Sequence, residues 1–263
     1  MRDFTLKKYR ELLQTFKQNG YLFMTYADYC EQKNLGLPDR FVIFRHDVDA
    51  KAENALQIAK IEVAEDVRAT YYFRVVSQSN KADIIRNIAV LGHEIGYHYE
   101  DMDICNGNIV KAAEHFVKHL EFFRQYYPIK TVCMHGSLRS RFDNKDLWRA
   151  IDYHDFGIIG EPYLDTEFDH IFYLTDAGRR WDGYRVSLRD KVPQQTIWHK
   201  EGLSFHYTDN VIHALKENRF SAFKGLLVTT HPQRWTDQPT AWLKESLLQT
   251  IKNGIKYCKI NHL

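Results

Sequence analysis

No apolar run in the 263-residue chain approaches the roughly 18 residues that a membrane span requires. Charge of one sign is also scarce. The 36 basic side chains are matched by 34 acidic ones, for a net of +2, and no long like-charge run concentrates either. A nucleic-acid or membrane-surface role needs concentrated positive charge, so neither is expected. The four cysteines (Cys30, Cys105, Cys133, Cys258) are scattered without a C-x-x-C pair. That excludes a disulfide scaffold and a zinc–thiolate signature, and it fits a reducing compartment. No Pro/Gly/Ser-rich linker, internal repeat or low-complexity tract divides the chain. G-x-G-x-x-G and the phosphate-cradling G-x-x-x-x-G-K-[ST] are missing, as is the G-x-S-x-G elbow of serine hydrolases. The opening MRDFTLKKYRELLQTFKQ is amphipathic and charged where a signal peptide has an apolar centre. A cytoplasmic protein is therefore expected. What the chain has in excess is rings: 16 Tyr, 16 Phe and 5 Trp, enough to fill a core and still line a cleft.

Short β-rich runs alternate with helical periods along nearly the whole length. Strands are predicted at 41–44, 69–75, 94–97, 131–134, 156–159, 171–174, 203–205 and 226–230. Several carry consecutive apolar residues, as strands buried on both faces do. Helices are predicted at 52–64, 108–126, 209–217 and 240–255, where apolar residues recur every three or four positions. Thr25 followed by Asp28 suits a capped helix start, and Thr208 or Asp209 could cap a later one. This alternation predicts an α/β fold with a parallel sheet, either a barrel or doubly wound. We expect one domain over 1–263. It comprises a helical extension over 1–38, read as two helices before the first strand, a core over 40–235 and a C-terminal helix over 240–259. Residues 161–193 read as long loops or a small β excursion, and loops of that length are usually functional.

In parallel α/β folds the functional groups gather at the C-terminal ends of strands. Here those ends carry Arg45-His46-Asp47-Val48-Asp49, then Arg74, then His98 with Glu100 and Asp101. His135-Gly136-Ser137, His206 and His231-Pro232-Gln233-Arg234 follow. Taken singly, each has an ordinary explanation. The aspartates could cap a helix near Lys51, His135 could be a turn or core histidine, and His231 could merely end a strand. As a set they suit a divalent metal, because one carboxylate and two imidazoles make a facial site with open positions. Such an ion lowers a water's pKa from 15.7 towards roughly 7 and polarises a carbonyl. The second aspartate could reach that water as a base if the chain turns there, and a histidine across the cleft could protonate a leaving amine. The chemistry fits amide or ester hydrolysis.

Three segments in order carry a family likeness: Phe41-Val-Ile-Phe-Arg-His-Asp47-Val-Asp49, Ala69-Thr-Tyr-Tyr-Phe73 and Gly92-His-Glu-Ile-Gly-Tyr-His98. Together they resemble the polysaccharide deacetylase (NodB-homology) superfamily. There, a strand ends in paired aspartates, the next reads like A-T-F-F, and a G-H-E-I-G-x-H segment follows. The apolar strand ending in His231 is similar to the family's last motif, and the likeness spans about residues 40–235. It implies a distorted (β/α)7-type barrel with N-terminal helices. It also implies metal-dependent removal of an acyl group from an N-acylated sugar. Position by position it makes Asp47 the catalytic base, Asp49 and His98 metal ligands, and His231 the general acid. The family's second metal histidine, four residues after the first, is here Met102. We expect His135 to take its place, with Asp101 or Glu100 as the alternatives.

The expected function is thus a metal-dependent deacetylase or deformylase using zinc, with cobalt or nickel as alternatives. Its substrate would be a soluble, nucleotide-linked or lipid-linked sugar intermediate. His46, Arg74, Trp181 and Arg234 are the candidate substrate contacts, since rings stack on sugars and guanidinium groups bind phosphate. The rival expectation is a non-catalytic carbohydrate-binding or assembly protein on the same barrel, which Met102 favours. A phosphoesterase would need more His/Asp pairs than the strand ends supply.

Overall fold

A computed structural model describes residues 2–136, 141–182 and 191–261, with side chains to 256. Ser137, Arg139 and positions 183–190 of the stretch expected to be irregular lie outside the described residues.

The elements run α1 (Leu6–Gln18), β1 (Leu22–Met24), α2 (Tyr26–Gln32), β2 (Phe41–Val48), α3 (Ala52–Ala64), β3 (Thr70–Phe73), α4 (Ala82–Val90) and β4 (Glu94–Tyr99). Then come α5 (Asp101–Ile104), α6 (Ile109–Arg124), β5 (Val132–Met134), α7 (Pro162–Asp165), β6 (Ile171–Thr175), α8 (Gln195–Lys200), α9 (Thr208–Lys216), β7 (Gly225–Thr230) and α10 (Pro239–Asn261). No helix among the described residues is long and apolar enough to cross a membrane.

All seven strands are parallel, in the order β5-β4-β3-β2-β7-β6, with β1 added beside β2. β2 shares one edge between two partners. Its first half pairs with β1 (Leu22 opposite Phe41) and its second half with β3 (Arg45 opposite Thr70). Every residue of β2, β3, β4, β5, β6 and β7 is buried, which is why several of them carry consecutive apolar residues. No ladder among the described residues joins β5 to β6, so the sheet is a half-barrel with helices around it. Gly96 in β4 has no room for a side chain: a Cβ there would strike the Tyr72 ring.

The helices follow local chemistry. Thr25 caps α2 in a full capping box with Asp28, as the spacing predicts. α1 turns Tyr9, Leu12, Leu13 and Phe16 into the core. Each such side chain contributes about 1.5–3 kcal/mol of apolar transfer. α3 coincides with the predicted 52–64.

Four expectations are corrected. The N-terminal extension is two helices with β1 between them, a strand of three residues and too short to show a period. Residues 156–159 are no strand: a 3-10 turn over Tyr153–Phe156 ends at Gly157 (φ 70°), and only an isolated bridge links Thr131 to Gly160. Residues 203–205 are irregular, held by a Trp181 N–H bond to the Phe205 carbonyl (3.0 Å). The cap of α9 is Tyr207, so Thr208 and Asp209 lie inside that helix.

Candidate metal centre at the strand ends

Side chains alternate across β2, so Arg45 and Asp47 share one face and His46 the other. Past the strand the chain curls, with the Asp49 N–H donating to the Asp47 carbonyl (3.0 Å). That turn brings both carboxylates to one place. His98 Nε2 lies 3.7 Å from Asp47 Oδ2 and 3.5 Å from Asp49 Oδ1. His135 Nε2 is 3.6 Å from Asp49 Oδ1, and His231 Nε2 is 3.9 Å from Asp49 Oδ2. Five residues read from four separated strand ends therefore converge.

The far nitrogens of His98 and His231 are hydrogen-bonded, and that of His135 lies beside a carboxylate without a well-formed hydrogen bond. His98 Nδ1 is 2.9 Å from the Cys133 carbonyl, and His135 Nδ1 is 2.9 Å from Glu100 Oε2. His231 Nδ1 is 2.6 Å from Asp176 Oδ1. Such contacts fix ring orientation and leave Nε2 to face the cluster. Asp49 Oδ2 accepts from Gln233 Nε2 (3.1 Å), but its Oδ1 is buried with no hydrogen-bond partner among the described residues. An orphaned carboxylate oxygen between two imidazole nitrogens is an arrangement that could hold a divalent ion. Zinc bonds of 2.0–2.2 Å in a tetrahedron place ligand atoms about 3.4 Å apart, close to the 3.5 and 3.6 Å here. At the strand ends, the residues whose ligand atoms all lie within 4.8 Å of one another are Asp47, His98 and Cys133. There Asp47 is already gripped by Arg45, through Nε (2.8 Å) and NH2 (2.6 Å).

The charges are arranged accordingly. Burial raises the Asp47 carboxyl, but Arg45 and then His98 outweigh it and hold it at about 2. Burial likewise opposes ionisation of Asp49, and the His98, His135 and His231 rings overcome it and hold it well below the usual carboxylate range. Burial and Arg234 depress the His231 imidazole, yet Asp176 and Asp49 leave it raised. His135 is raised against burial by Glu100 and Asp49.

Of the expected substrate contacts, two are placed elsewhere. His46 is fully buried on the other face of β2, with Nε2 on Glu62 Oε1 (2.7 Å) and Nδ1 on Thr230 Oγ1 (2.6 Å). Trp181 is fully buried, donating to Thr208 Oγ1 (3.0 Å) and stacked on Phe4, so no sugar can reach its face. Arg234 is buried beside the cluster, with NH1 2.9 Å from His231 Nδ1, and it binds the Asp176 carboxylate and carbonyl. Arg74 does border the cluster. It holds Glu100 through Nε (3.0 Å) and NH2 (2.6 Å) and donates to the Asp49 carbonyl (3.2 Å). Glu100 thus lies between Arg74 and His135 Nδ1. Asp101 points to His115, and Met102 is buried in the apolar core.

Sequence reasoning missed Asp176. It follows β6 directly, so the strand-end rule that found the others would have found it. Its carboxylate also accepts from the Trp235 indole (2.9 Å) and the His231 backbone (3.0 Å).

No protein-family model matches the chain, and no curated protein does. Among solved structures it is similar to three forms of one protein described as a CE4 family pseudoenzyme. The wild type, from Bacillus anthracis, is 15% identical with a TM-score of 0.44, over 83% of this chain and 63% of that one. A mutant is 16% identical at 0.44, and a mutant described as having restored enzymatic activity is 15% identical at 0.45. Each mutant match covers 83% of this chain and 65% of the other, so the chain spans just under two thirds of their length. A likeness at this level says nothing of chemistry.

Proposed function

We propose that the strand-end cluster is the divalent-metal centre of a hydrolase that removes an N-acetyl or N-formyl group from a sugar. The observation that carries this reading is the orphaned Asp49 Oδ1 between His98 Nε2 and His135 Nε2. Asp49, His98 and His135 would hold the ion, zinc first, with cobalt and nickel as the alternatives. When bound, the ion supplies Lewis acidity towards a carbonyl and a more acidic water. The protein's own residues supply the rest. Asp47 stays ionised at neutral pH and stands 3.7 Å from His98, placed to accept a proton. His231, its Nδ1 on Asp176, presents Nε2 from the β7 end as the donor to a leaving amine. Glu100 and Arg74 orient His135. The sugar, free or linked to a nucleotide or lipid, rests on the likeness of the first three motifs to the deacetylase superfamily. We read the whole chain as one such unit.

A second reading is a sugar-binding protein without turnover. The two-point Arg45 clamp favours it, because a carboxylate held at about 2 is a weak base.

The test is acyl release from N-acetyl and N-formyl sugars and their nucleotide-linked forms by zinc-, cobalt- or nickel-loaded protein. Release abolished by Asp49→Ala and His231→Ala supports the hydrolase. Sugar binding without release by any metal form supports the second reading.

A further inference from the structure

A second group of metal-ligating side chains lies on α6, apart from the strand-end cluster. His115 and His119 are four residues apart, one above the other on the helix, with ring centroids 3.9 Å apart. We propose that their Nε2 atoms form a second divalent-metal site of the kind that takes zinc, nickel or copper, with Asp101 as its supporting carboxylate.

The hydrogen bonds set this up. His115 Nδ1 is 2.5 Å from Asp101 Oδ1, and His119 Nδ1 is 2.8 Å from the His115 carbonyl. A ring nitrogen facing a carboxylate or a carbonyl carries the proton, which puts both lone pairs on Nε2. Carboxylate-backed and carbonyl-backed imidazoles are what metal sites use to orient their ligands. Asp101 is itself fixed: it is fully buried, and the Tyr97 hydroxyl is 3.0 and 2.9 Å from its two oxygens. One ligand atom from each of Asp101, His115 and His119 lies within 4.8 Å of the others. Both rings are half-buried, so the site opens to solvent on one side. A plain Asp101–His115 ion pair would account for one imidazole and leave the second, tilted at 45° to it, unexplained. Asp101 directly follows Glu100, so an ion here would brace the segment that holds His135.

The experiment is a zinc titration of the whole chain against a chromophoric chelator, with copper(II) EPR as a second readout. Asp49→Asn protein should still bind one equivalent of zinc, and adding His119→Ala should remove it. Asp101→Asn should weaken it by about 10- to 100-fold, the effect of losing such a supporting carboxylate. Copper in Asp49→Asn protein should show two nitrogen ligands, falling to one with His119→Ala. The proposal is overturned if Asp49→Asn protein binds no zinc, or if folded Asp49→Asn/His119→Ala protein binds as much as Asp49→Asn alone. His119 is half-exposed, so that variant decides the matter even if Asp101→Asn fails to fold.

Discussion

His231 Nδ1 and Asp176 Oδ1 lie 2.6 Å apart, both buried, at the ends of neighbouring strands β7 and β6. The β6–β7 register delivers this pair, and the carboxylate fixes which nitrogen faces the Asp49 cluster. Asp176→Asn keeps the shape and removes the charge. For a hydrolase using His231 as its acid, turnover should fall about 10²- to 10⁴-fold, the contribution of a positioned proton donor. KM should change little. Steady-state kinetics on the acyl-release reaction checks this, and an unchanged turnover number would remove His231 from the chemistry.

Glu100 links stability to pH. Burial raises its carboxyl, but His135 and Arg74 outweigh burial and hold it at about 2. The unfolded chain, with an ordinary value of about 4.3, takes up the proton first as pH falls. The stabilisation is therefore complete above about 4.5 and lost as pH falls towards 2. It amounts to the order of 3 kcal/mol. Denaturant titrations should show Glu100→Gln flattening the acid limb in that window. A limb identical to wild type would mean that the carboxylate is not paired as described.

His46 should matter to folding and not to ligands. Its removal leaves the Glu62 carboxylate buried, with the Tyr9 and Tyr71 hydroxyls as its remaining donors. Breaking a buried pair of this kind costs about 3–5 kcal/mol. Folded His46→Ala protein should bind zinc as wild type does while unfolding at lower denaturant. A raised KM with unchanged stability would instead restore His46 as a substrate contact.

The parallel sheet was legible because its strands are buried on both faces, so 41–44 and 226–228 show as apolar runs. Asp49, His98, His135 and His231 were legible because a parallel sheet aims every strand end at one face. Two kinds of feature were not. β1 spans three residues and owes its existence to pairing with Phe41–Ile43, a long-range contact that leaves no local period. The environments of His46 and Trp181 depend on which face of a strand or loop meets a neighbour. His46 follows an arginine and precedes an aspartate, both of which face the cluster, and only the alternation of β2 turns it away. Arg45 stood in the same motif, yet its clamp on Asp47 requires side-chain geometry that spacing does not state.

The most direct test of the strand-end metal centre is zinc bound per chain, by elemental analysis after gel filtration. It compares His119→Ala protein with and without Asp49→Ala, so that α6 contributes nothing. The account predicts close to one equivalent in the first and close to none in the second. Equal zinc in both, or none in either after zinc, cobalt and nickel have been offered, would contradict it.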